Sequence, residues 1–144
     1  MGYLDSLNIT GSALTAERFR TDVIMQNLAN QNTTRTEDGG PYRRKQVVLR
    51  EQQLTFKQEL GKAMTKAENG GVIAEAVVDS ENPLVPVYDP DHPDADEDGY
   101  VMMPNVNSAE EMVDLMAATR AYEANVTALN VAKSMALKAL EIGK

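Results

Sequence analysis

The sequence predicts an α+β protein with a long helix at each end of the chain and a small β-rich domain in the middle. Three observations predict this class: helical periodicity in the last third, similar periodicity in the opening segment, and short alternating runs between turn signals in the centre. We divide the chain into 1–34, the N-terminal helix, 35–106, the β-rich middle domain, and 107–144, the C-terminal helix. The two helices are expected to pair as a coiled-coil-like layer.

The C-terminal helix is predicted from Ser108 to Gly143 and carries two apolar seams instead of one. The first seam is Leu115, Ala118, Tyr122, Asn125, Leu129, Ala132, Ala136 and Ala139. The second seam is Ala117, Ala121, Ala124, Ala128, Val131, Met135 and Ile142. A helix on the surface of a monomeric globule needs one apolar stripe. Two stripes indicate neighbours on both sides, which favours assembly over catalysis.

Local signals mark the ends and one interior position of this helix. Ser108 and Glu111 have the spacing of a capping box, in which the serine hydroxyl and the glutamate carboxylate bind backbone amides of the first turn. Gly143 can end the helix in a left-handed conformation. Asn125 lies on the first seam, where a buried amide would fix register, or else at the solvated edge of that seam.

The N-terminal helix is predicted from about Asp5 to Asn30, again with two apolar faces. These faces are Leu7, Leu14 and Leu28 with Met25 beside them, and Ile9, Ala16 and Val23 with Phe19 adjacent. Gly11 weakens the first turns by up to about 1 kcal/mol relative to alanine, so we expect the helix to form fully only when packed. The polar run 30–34 should end it, because these side chains compete for backbone hydrogen bonds.

Alternating runs in the middle of the chain predict four strands. They are expected at Tyr42–Leu49, Val72–Val78, Leu84–Tyr88 and Tyr100–Met103. The run Gln52–Ala67 is ambiguous, with the spacing of a short helix interrupted by a glycine.

Charge is unevenly distributed along the chain, which has a net charge of -8. Residues 71–105 hold nine acids and no Lys or Arg, whereas residues 35–50 carry five bases and two acids. This division would let an acidic patch on one copy meet a basic patch on another, or would simply give two solvated surfaces. An acidic chain of this kind is a poor candidate for binding nucleic acid.

Composition also argues against several classes of site. The chain has no cysteine, and therefore no disulfide, thiolate catalyst or thiolate metal site. It has no apolar run long enough to span a membrane. The first residues lack a basic stretch followed by an apolar core, so we expect no cleavable signal, and either a cytoplasmic protein or one exported by another route.

The loop Asp94–Gly99 matches the first half of a calcium-binding loop, with oxygen-bearing side chains at alternate positions and glycine at the sixth. The twelfth position should be a bidentate glutamate, and here it is Asn105. Pro90 and Pro93 also oppose the helix that should enter such a loop. We therefore expect an exposed acidic turn and no metal.

The remaining candidates for chemistry are weak. His92 is the only histidine, and neither further zinc ligands nor a nucleophile can be identified beside it. The run Arg43–Lys45 could contact nucleic acid or acidic lipid, but successive strand side chains point to opposite faces, so we favour salt bridges within an edge strand. We expect no enzyme activity and no cofactor.

Four sequence blocks carry a family resemblance. They are Gly11–Leu14 with Asn27–Asn30, Gly40–Val48, Gly99–Val101 with Met103–Val106, and Arg120–Val126 with Lys133–Met135. Together these blocks resemble the proximal rod proteins of the bacterial flagellar basal body, the FlgC family. The resemblance covers nearly the whole chain.

This resemblance implies a structural subunit of the flagellar rod, outside the inner membrane. Members of that family pair their terminal helices in the inner layer of a tubular drive shaft around the export channel, with the β-rich part outside. The implied partners are other copies of the chain, other rod proteins and, during secretion, the flagellar type III export apparatus, which passes unfolded chains. Nucleic acid is not an implied partner.

We predict that the assembly contacts come from the two helices, with Asn27, Arg120 and Asn125 setting the register. The predicted contact residues are Leu7, Leu14, Asn27, Leu28, Asn30, Leu115, Arg120, Tyr122, Asn125, Leu129 and Met135. Two alternatives belong to other classes. One is a cytoplasmic coiled-coil adaptor or chaperone that binds a helical partner, and the other is a small enzyme that uses Asp and Glu.

Overall fold

The structure, a computed structural model, describes residues 3–37, 39–52 and 70–142. Its elements are α1 (Tyr3–Ala29), β1 (Lys45–Glu51), β2 (Val72–Asp79), β3 (Val85–Tyr88), β4 (Tyr100–Met103) and α2 (Ser108–Ile142). Two long helices and short strands between them confirm the predicted α+β class. In the described ranges, no helix is both long and apolar enough to cross a bilayer.

Polar side chains end α1, as the sequence predicts. The backbone N–H and the side-chain amide of Asn30 both donate to the carbonyl of Gln26, at 3.1 and 2.9 Å. The hydroxyl of Thr33 then donates to Oδ1 of Asn30 at 3.1 Å. These bonds satisfy carbonyl groups of the last turn and turn the chain out of the helix.

The start of α2 differs from the predicted capping box. Oδ1 of Asn107 accepts the N–H of Ala109 at 3.0 Å, so Asn107 caps the helix. The hydroxyl of Ser108 instead donates to the side chain of Gln31. Glu111 is fully buried and its carboxylate binds side chains of other elements. The capping-box prediction was therefore wrong. Gly143, the predicted stop, lies outside the described residues.

In the described part of the chain, the strands form two two-stranded sheets, β1 with β2 and β3 with β4. The β3–β4 pair is antiparallel. All four strands were predicted, with bounds that shift by a few residues. β1 starts at Lys45 and not at Tyr42, because the N–H of Tyr42 donates to Thr33 and that of Arg44 donates to the side chain of Asn105. Most of the run Gln52–Ala67, which the sequence left ambiguous, lies outside the described residues.

The chain divides into two compact units. The first comprises Met1–Phe19, Val48–Ala76 and Ala118–Lys144, and the second comprises Arg20–Val47 and Val77–Ala117. Each helix contributes to both units. The three-segment division made from the sequence follows the elements along the chain, and it stays a prediction.

In the first unit, Ser12 fixes the start of β2 on α1. Its hydroxyl donates to the carbonyl of Ile9 at 2.8 Å and accepts the N–H of Val72 at 3.0 Å. The preceding residue, Gly71, approaches so closely that an added Cβ would lie 2.8 Å from the Ser12 oxygen. Only glycine fits this approach without displacing the serine. Among the described residues of this unit, Ala16 and Ala118 are the most buried apolar ones.

The second unit has a mixed core. Val23, Ile24, Tyr42 and Val101 are its buried hydrophobic residues, and they lie in α1, in the loop before β1 and in β4. Buried polar side chains accompany them, including those of Asn27, Ser80 and Glu111. Buried polar groups must find hydrogen-bond partners, so these side chains are expected to bond to one another or to nearby backbone.

Candidate assembly surface and its buried polar cluster

Four side chains of the second unit form what we call the polar cluster: Asn27, Tyr42, Arg44 and Glu111. Asn27 is 1% exposed and uses its full hydrogen-bonding capacity. Its Nδ2 donates to the carbonyl of Lys45 and to Oε2 of Glu111, both at 2.9 Å. Its Oδ1 accepts the N–H of Lys45 at 2.9 Å and the hydroxyl of Tyr42 at 3.0 Å. The opposite amide orientation would set its oxygen against two acceptors, so the bonds fix the orientation shown.

Glu111 is neutralised inside the chain. Its side chain is completely buried, and Oε1 accepts from Nε of Arg44 while Oε2 accepts from Asn27. Nη2 of Arg44 donates to Asp114 at 3.0 Å, one turn further along α2. Asp114 also lies 3.8 Å from Arg20 of α1. The charge-assisted bonds therefore tie the end of α1 and the segment before β1 to the first turns of α2.

The environment of the cluster shifts two pKa values. Burial alone would lower the pKa of Arg44, but the hydrogen bond and charge of Glu111, with Asp114 and Glu110, outweigh it and raise that pKa. The pKa of Tyr42 is raised by its burial and by the charges of Asp79 and Glu111. Arg44 thus stays charged and Tyr42 stays a hydroxyl donor, which are the states that the hydrogen bonds require.

The basic segment of the chain pairs with acids of the same chain. Besides Arg44, Arg35 lies 3.7 Å from Asp94 and Arg50 lies 2.6 Å from Glu75. Salt bridging within an edge strand was the favoured interpretation of the run Arg43–Lys45. Arg44 does form salt bridges, but it lies just before β1 and not within a strand. Part of the complementary charge that the sequence would offer to another copy is therefore satisfied internally.

The acidic loop uses two of its carboxylates to shape a turn. Oδ1 of Asp96 accepts the N–H of Asp98 at 3.0 Å and that of Tyr100 at 2.8 Å. Oδ2 of Asp94 accepts the hydroxyl of Thr34 at 2.8 Å. Gly99 has φ 81°, a left-handed conformation that closes the turn. Within the described ranges, no three His, Cys, Asp or Glu side chains come together as a metal site.

The second feature is the surface of α2, whose two predicted seams differ in burial. On the first seam Ala118 is fully buried, and Leu115, Asn125 and Leu129 are partly buried. On the second seam Ala121 is partly buried and the other apolar side chains face solvent: Val131 is 53% exposed and Met135 67%. The exposed residues on that side, within the first unit, define what we call the assembly face: Arg120, Ala124, Thr127, Ala128, Val131, Ser134, Met135, Lys138 and Ile142.

A shallow groove of about 400 Å³ runs along the C-terminal part of this face. It is lined by Thr127, Asn130, Val131, Ser134, Met135 and Lys138. Within the described residues, neither Lys138 nor Arg120 forms an ion pair. The face thus combines apolar and small side chains with two unpaired positive charges.

The other predicted contact residues are distributed between interior and surface. Leu7, Leu14 and Leu28 of α1 are partly buried, as is Asn30 in the turn that follows it. Tyr122 is 40% exposed, and Arg120 is exposed on the assembly face. Asn27 lies inside the chain, so in this conformation it cannot touch a neighbouring molecule. The structure contains one chain, and the contact roles of these residues stay predictions.

Sequence reasoning missed the polar cluster, although one signal was present. Glu111 continues the first apolar seam of α2, four residues before Leu115 and seven before Ala118. A carboxylate in line with a buried seam requires a buried partner. The nearby candidates were Arg44 and Asn27, but no sequence pattern indicates that residues so far apart along the chain meet.

Comparisons with known proteins match this chain to flagellar components. The family model described as "Flagellar basal body rod FlgEFG protein C-terminal" matches residues 97–142, which include β4 and α2. Flagellar basal-body rod protein FlgC of Bacillus subtilis is 48% identical over 96% of this chain and 97% of its own length. The protein of that name from Borreliella burgdorferi is 44% identical over 99% and 98%. The one from Escherichia coli O157:H7 is 44% identical over the full length of both.

Proposed function

The chain belongs to the FlgC family of flagellar basal-body rod proteins, and from this we propose that it is a structural subunit of the bacterial flagellar basal-body rod. In this proposal its terminal helices pack against those of neighbouring subunits to build the tubular drive shaft around the export channel. The observation that carries this mechanism is the assembly face, an apolar strip exposed along α2.

The assembly face has the chemistry of a helix-packing surface. Fully burying a side chain such as Val131 or Met135 contributes about 1.5–3 kcal/mol. The alanines at 124 and 128 project little, so a second helix can approach closely. Because the first seam is already partly covered within the chain, the exposed second side is the one available to a neighbour.

Within this proposal the predicted contact residues have three roles. Arg120 and Met135 lie on the assembly face and would contact a neighbour directly. Asn27 would act from inside the subunit, by fixing the end of α1 against the start of α2. Leu7, Leu14 and the partly buried residues of the first seam would complete the helix layer.

The proposal includes partners and an export route. The chain would contact copies of itself and other rod proteins, and it would pass the flagellar type III export apparatus unfolded. A chain with no cysteine suits such passage, because no disulfide can lock it. We propose neither catalysis nor nucleic-acid binding, in keeping with the net charge of -8 and the use of Arg44 in internal pairs.

The test is complementation of a strain that lacks its own gene for this chain. The wild-type chain should restore motility and co-purify with basal bodies. Val131→Asp should remove it from basal bodies without unfolding it, whereas Lys133→Asp, on another side of the same helix, should not. A deletion strain that still built complete, rotating flagella would contradict the proposal. Recovery of the chain only as a soluble complex with one helical partner would favour the adaptor.

A further inference from the structure

The strand β3 is apolar and exposed along its whole length. Its four residues, 85–88, carry no charged side chain, and all of them lie at the surface. Val85 is 51% exposed, Val87 43% and Tyr88 65%. Within the described residues β3 pairs with β4 alone, so no other strand lies along its outer edge. An apolar edge strand of this kind is a template on which a second chain can pair.

The strands of the other sheet carry charges, and β3 does not. Proteins prevent pairing between exposed edges with charged side chains on the strand, or with a proline in it. The charged residues of β1 and β2 are Lys45, Arg50, Glu51, Glu75 and Asp79. In β3 the only residue of either kind is Pro86. Whether Pro86 protects the edge depends on the direction in which its backbone points.

The hydrogen bonds of Tyr100 in β4 show which backbone groups of β3 point outward. The N–H of Tyr100 donates to Oδ1 of Asp96 at 2.8 Å, and its carbonyl accepts the N–H of Asp96 at 2.9 Å. Both groups therefore point away from β3, so Tyr100 and its partner Tyr88 form a non-hydrogen-bonded pair. It follows that the N–H and carbonyl of Tyr88 point to the outer edge of the hairpin.

Pro86 occupies the other outward position of β3. The two kinds of pair alternate along an antiparallel ladder, so Pro86 and Met102 also form a non-hydrogen-bonded pair. Proline has no N–H to donate. At this position it removes no bond from the ladder with β4. It does remove a donor from the outer edge, where Tyr88 is left as the only residue of β3 with an outward N–H.

We propose that Pro86 closes the outer edge of β3 to the β3 strand of a second copy, and so keeps free subunits from joining through their hairpins. A second strand along this edge would meet a proline ring where it needs a donor, and its own carbonyl would stay unpaired. This inference goes beyond the proposed function, because it concerns the free subunit and not the assembly that the subunit joins.

Pro86→Val tests the proposal in the purified chain. Valine restores an outward N–H, favours strands and keeps the surface apolar. Analytical ultracentrifugation should show that this variant associates at least several-fold more strongly than the wild type. The matched control is Pro83→Val, which makes the same change at an exposed proline outside the strand. This control should sediment like the wild type.

Amide hydrogen exchange, followed by NMR, identifies the surface that pairs. In the wild type the outward amide of Tyr88 should exchange several-fold faster than that of Val87, which points to β4. In Pro86→Val the Tyr88 amide should slow as the chain associates, because a second strand now covers it. The Val87 amide should keep its protection, since the ladder with β4 does not use position 86.

Pro86→Lys provides a second variant with the same restored N–H. Lysine adds a charge to the edge, which is the protection that β1 and β2 have and β3 lacks. We therefore expect Pro86→Lys to associate less than Pro86→Val. Equal association of the two would show that the contact is not made through the strand edge, and would overturn the proposal.

Three further outcomes would contradict the role of Pro86. The first is a Pro86→Val chain that associates no more than the wild type. The second is association in which the Tyr88 amide does not slow. The third is loss of Val87 protection in this variant, which would show that the proline supports the hairpin itself. The rod function is tested separately by complementation, and these outcomes leave it standing.

Discussion

The polar cluster and the assembly face differ in whether their side chains find partners within one chain. Every side-chain hydrogen bond of Asn27 and both oxygens of Glu111 are satisfied inside one chain. The assembly face instead leaves Val131 and Met135 more than half exposed and Lys138 without an ion pair in the described residues. The first region is closed and specifies the fold of a single subunit. The second is open and has the composition of a surface made for association.

The two regions also differ in the kind of interaction that they contain. Hydrogen bonds and buried charges are directional and costly to leave unpaired, so they specify one arrangement of three chain segments. Apolar contacts are not directional and gain with area, so they suit a surface that meets neighbours. Substitutions in the polar cluster should therefore lower the stability of the free subunit, and substitutions on the assembly face should lower association.

The largest effect on stability is expected from Glu111→Ala. The change leaves the partly buried Arg44 with Asp114 as its one remaining carboxylate partner and removes the acceptor for one N–H of Asn27. Breaking a buried ion pair in this way costs about 3–5 kcal/mol in the free energy of unfolding. Urea denaturation of the purified chain measures it. The exposed neighbour is the control: Glu110→Ala should cost no more than about 1 kcal/mol.

Asn27→Asp should have the next largest effect. The carboxylate can still accept from Tyr42 and Lys45, but it cannot donate to the Lys45 carbonyl, and it lies against the carboxylate of Glu111. Each buried group left without a partner costs about 1–3 kcal/mol. The same change at the exposed Asn32 should alter the free energy of unfolding by less than about 0.5 kcal/mol. Equal losses at both positions would show that the cluster does not hold the fold.

Tyr42→Phe should cost about 1 kcal/mol, since one hydrogen bond is lost while Oδ1 of Asn27 keeps the bond from Lys45. It should also change the response to alkali. The pKa of Tyr42 is raised in the folded chain, so the unfolded chain loses this proton first, and stability falls as the pH rises above 10. Unfolding free energies measured from pH 9 upward should therefore fall less steeply in Tyr42→Phe than in the wild type.

Gly11→Ala should have the smallest effect and the opposite sign. Gly11 lies inside α1, and an added Cβ would meet no atom within 4 Å. Alanine at a helix interior position should raise the free energy of unfolding by about 0.5–1 kcal/mol. If assembly into basal bodies falls while stability rises, the bare glycine surface contacts a neighbour in the rod. A loss of stability in the free chain would contradict the open space seen around Gly11.

The sequence allowed prediction of the parts that depend on local pattern. Periodicity located both helices, alternation located all four strands, and the polar run 30–34 indicated the end of α1. The start of α2 was predicted at the correct residue for the wrong reason, since Asn107 caps it and Glu111 turns inward. The sequence pattern could not distinguish the two roles of Glu111, because a glutamate three residues after a serine is compatible both with a capping box and with a buried carboxylate.

The polar cluster depends on contacts between residues distant along the chain, and such contacts have no local signature. Asn27 and Glu111 are 84 positions apart, and their hydrogen bond exists only because the two helix ends meet. The two seams of α2, by contrast, were visible in the sequence as two stripes. The structure adds which of them is covered within the subunit: the first is partly buried and the second exposed.

The most direct test of the account is the accessibility of position 134 before and after assembly. Ser134→Cys introduces the only thiol in the chain, on the exposed side of α2. A small maleimide should label it rapidly in the free subunit and at least several-fold more slowly in purified basal bodies. The exposed Asn32→Cys, in the turn after α1, reports on general shielding in the assembled rod. Equally rapid labelling of position 134 in the free and assembled states would contradict the claim that this face is buried between subunits.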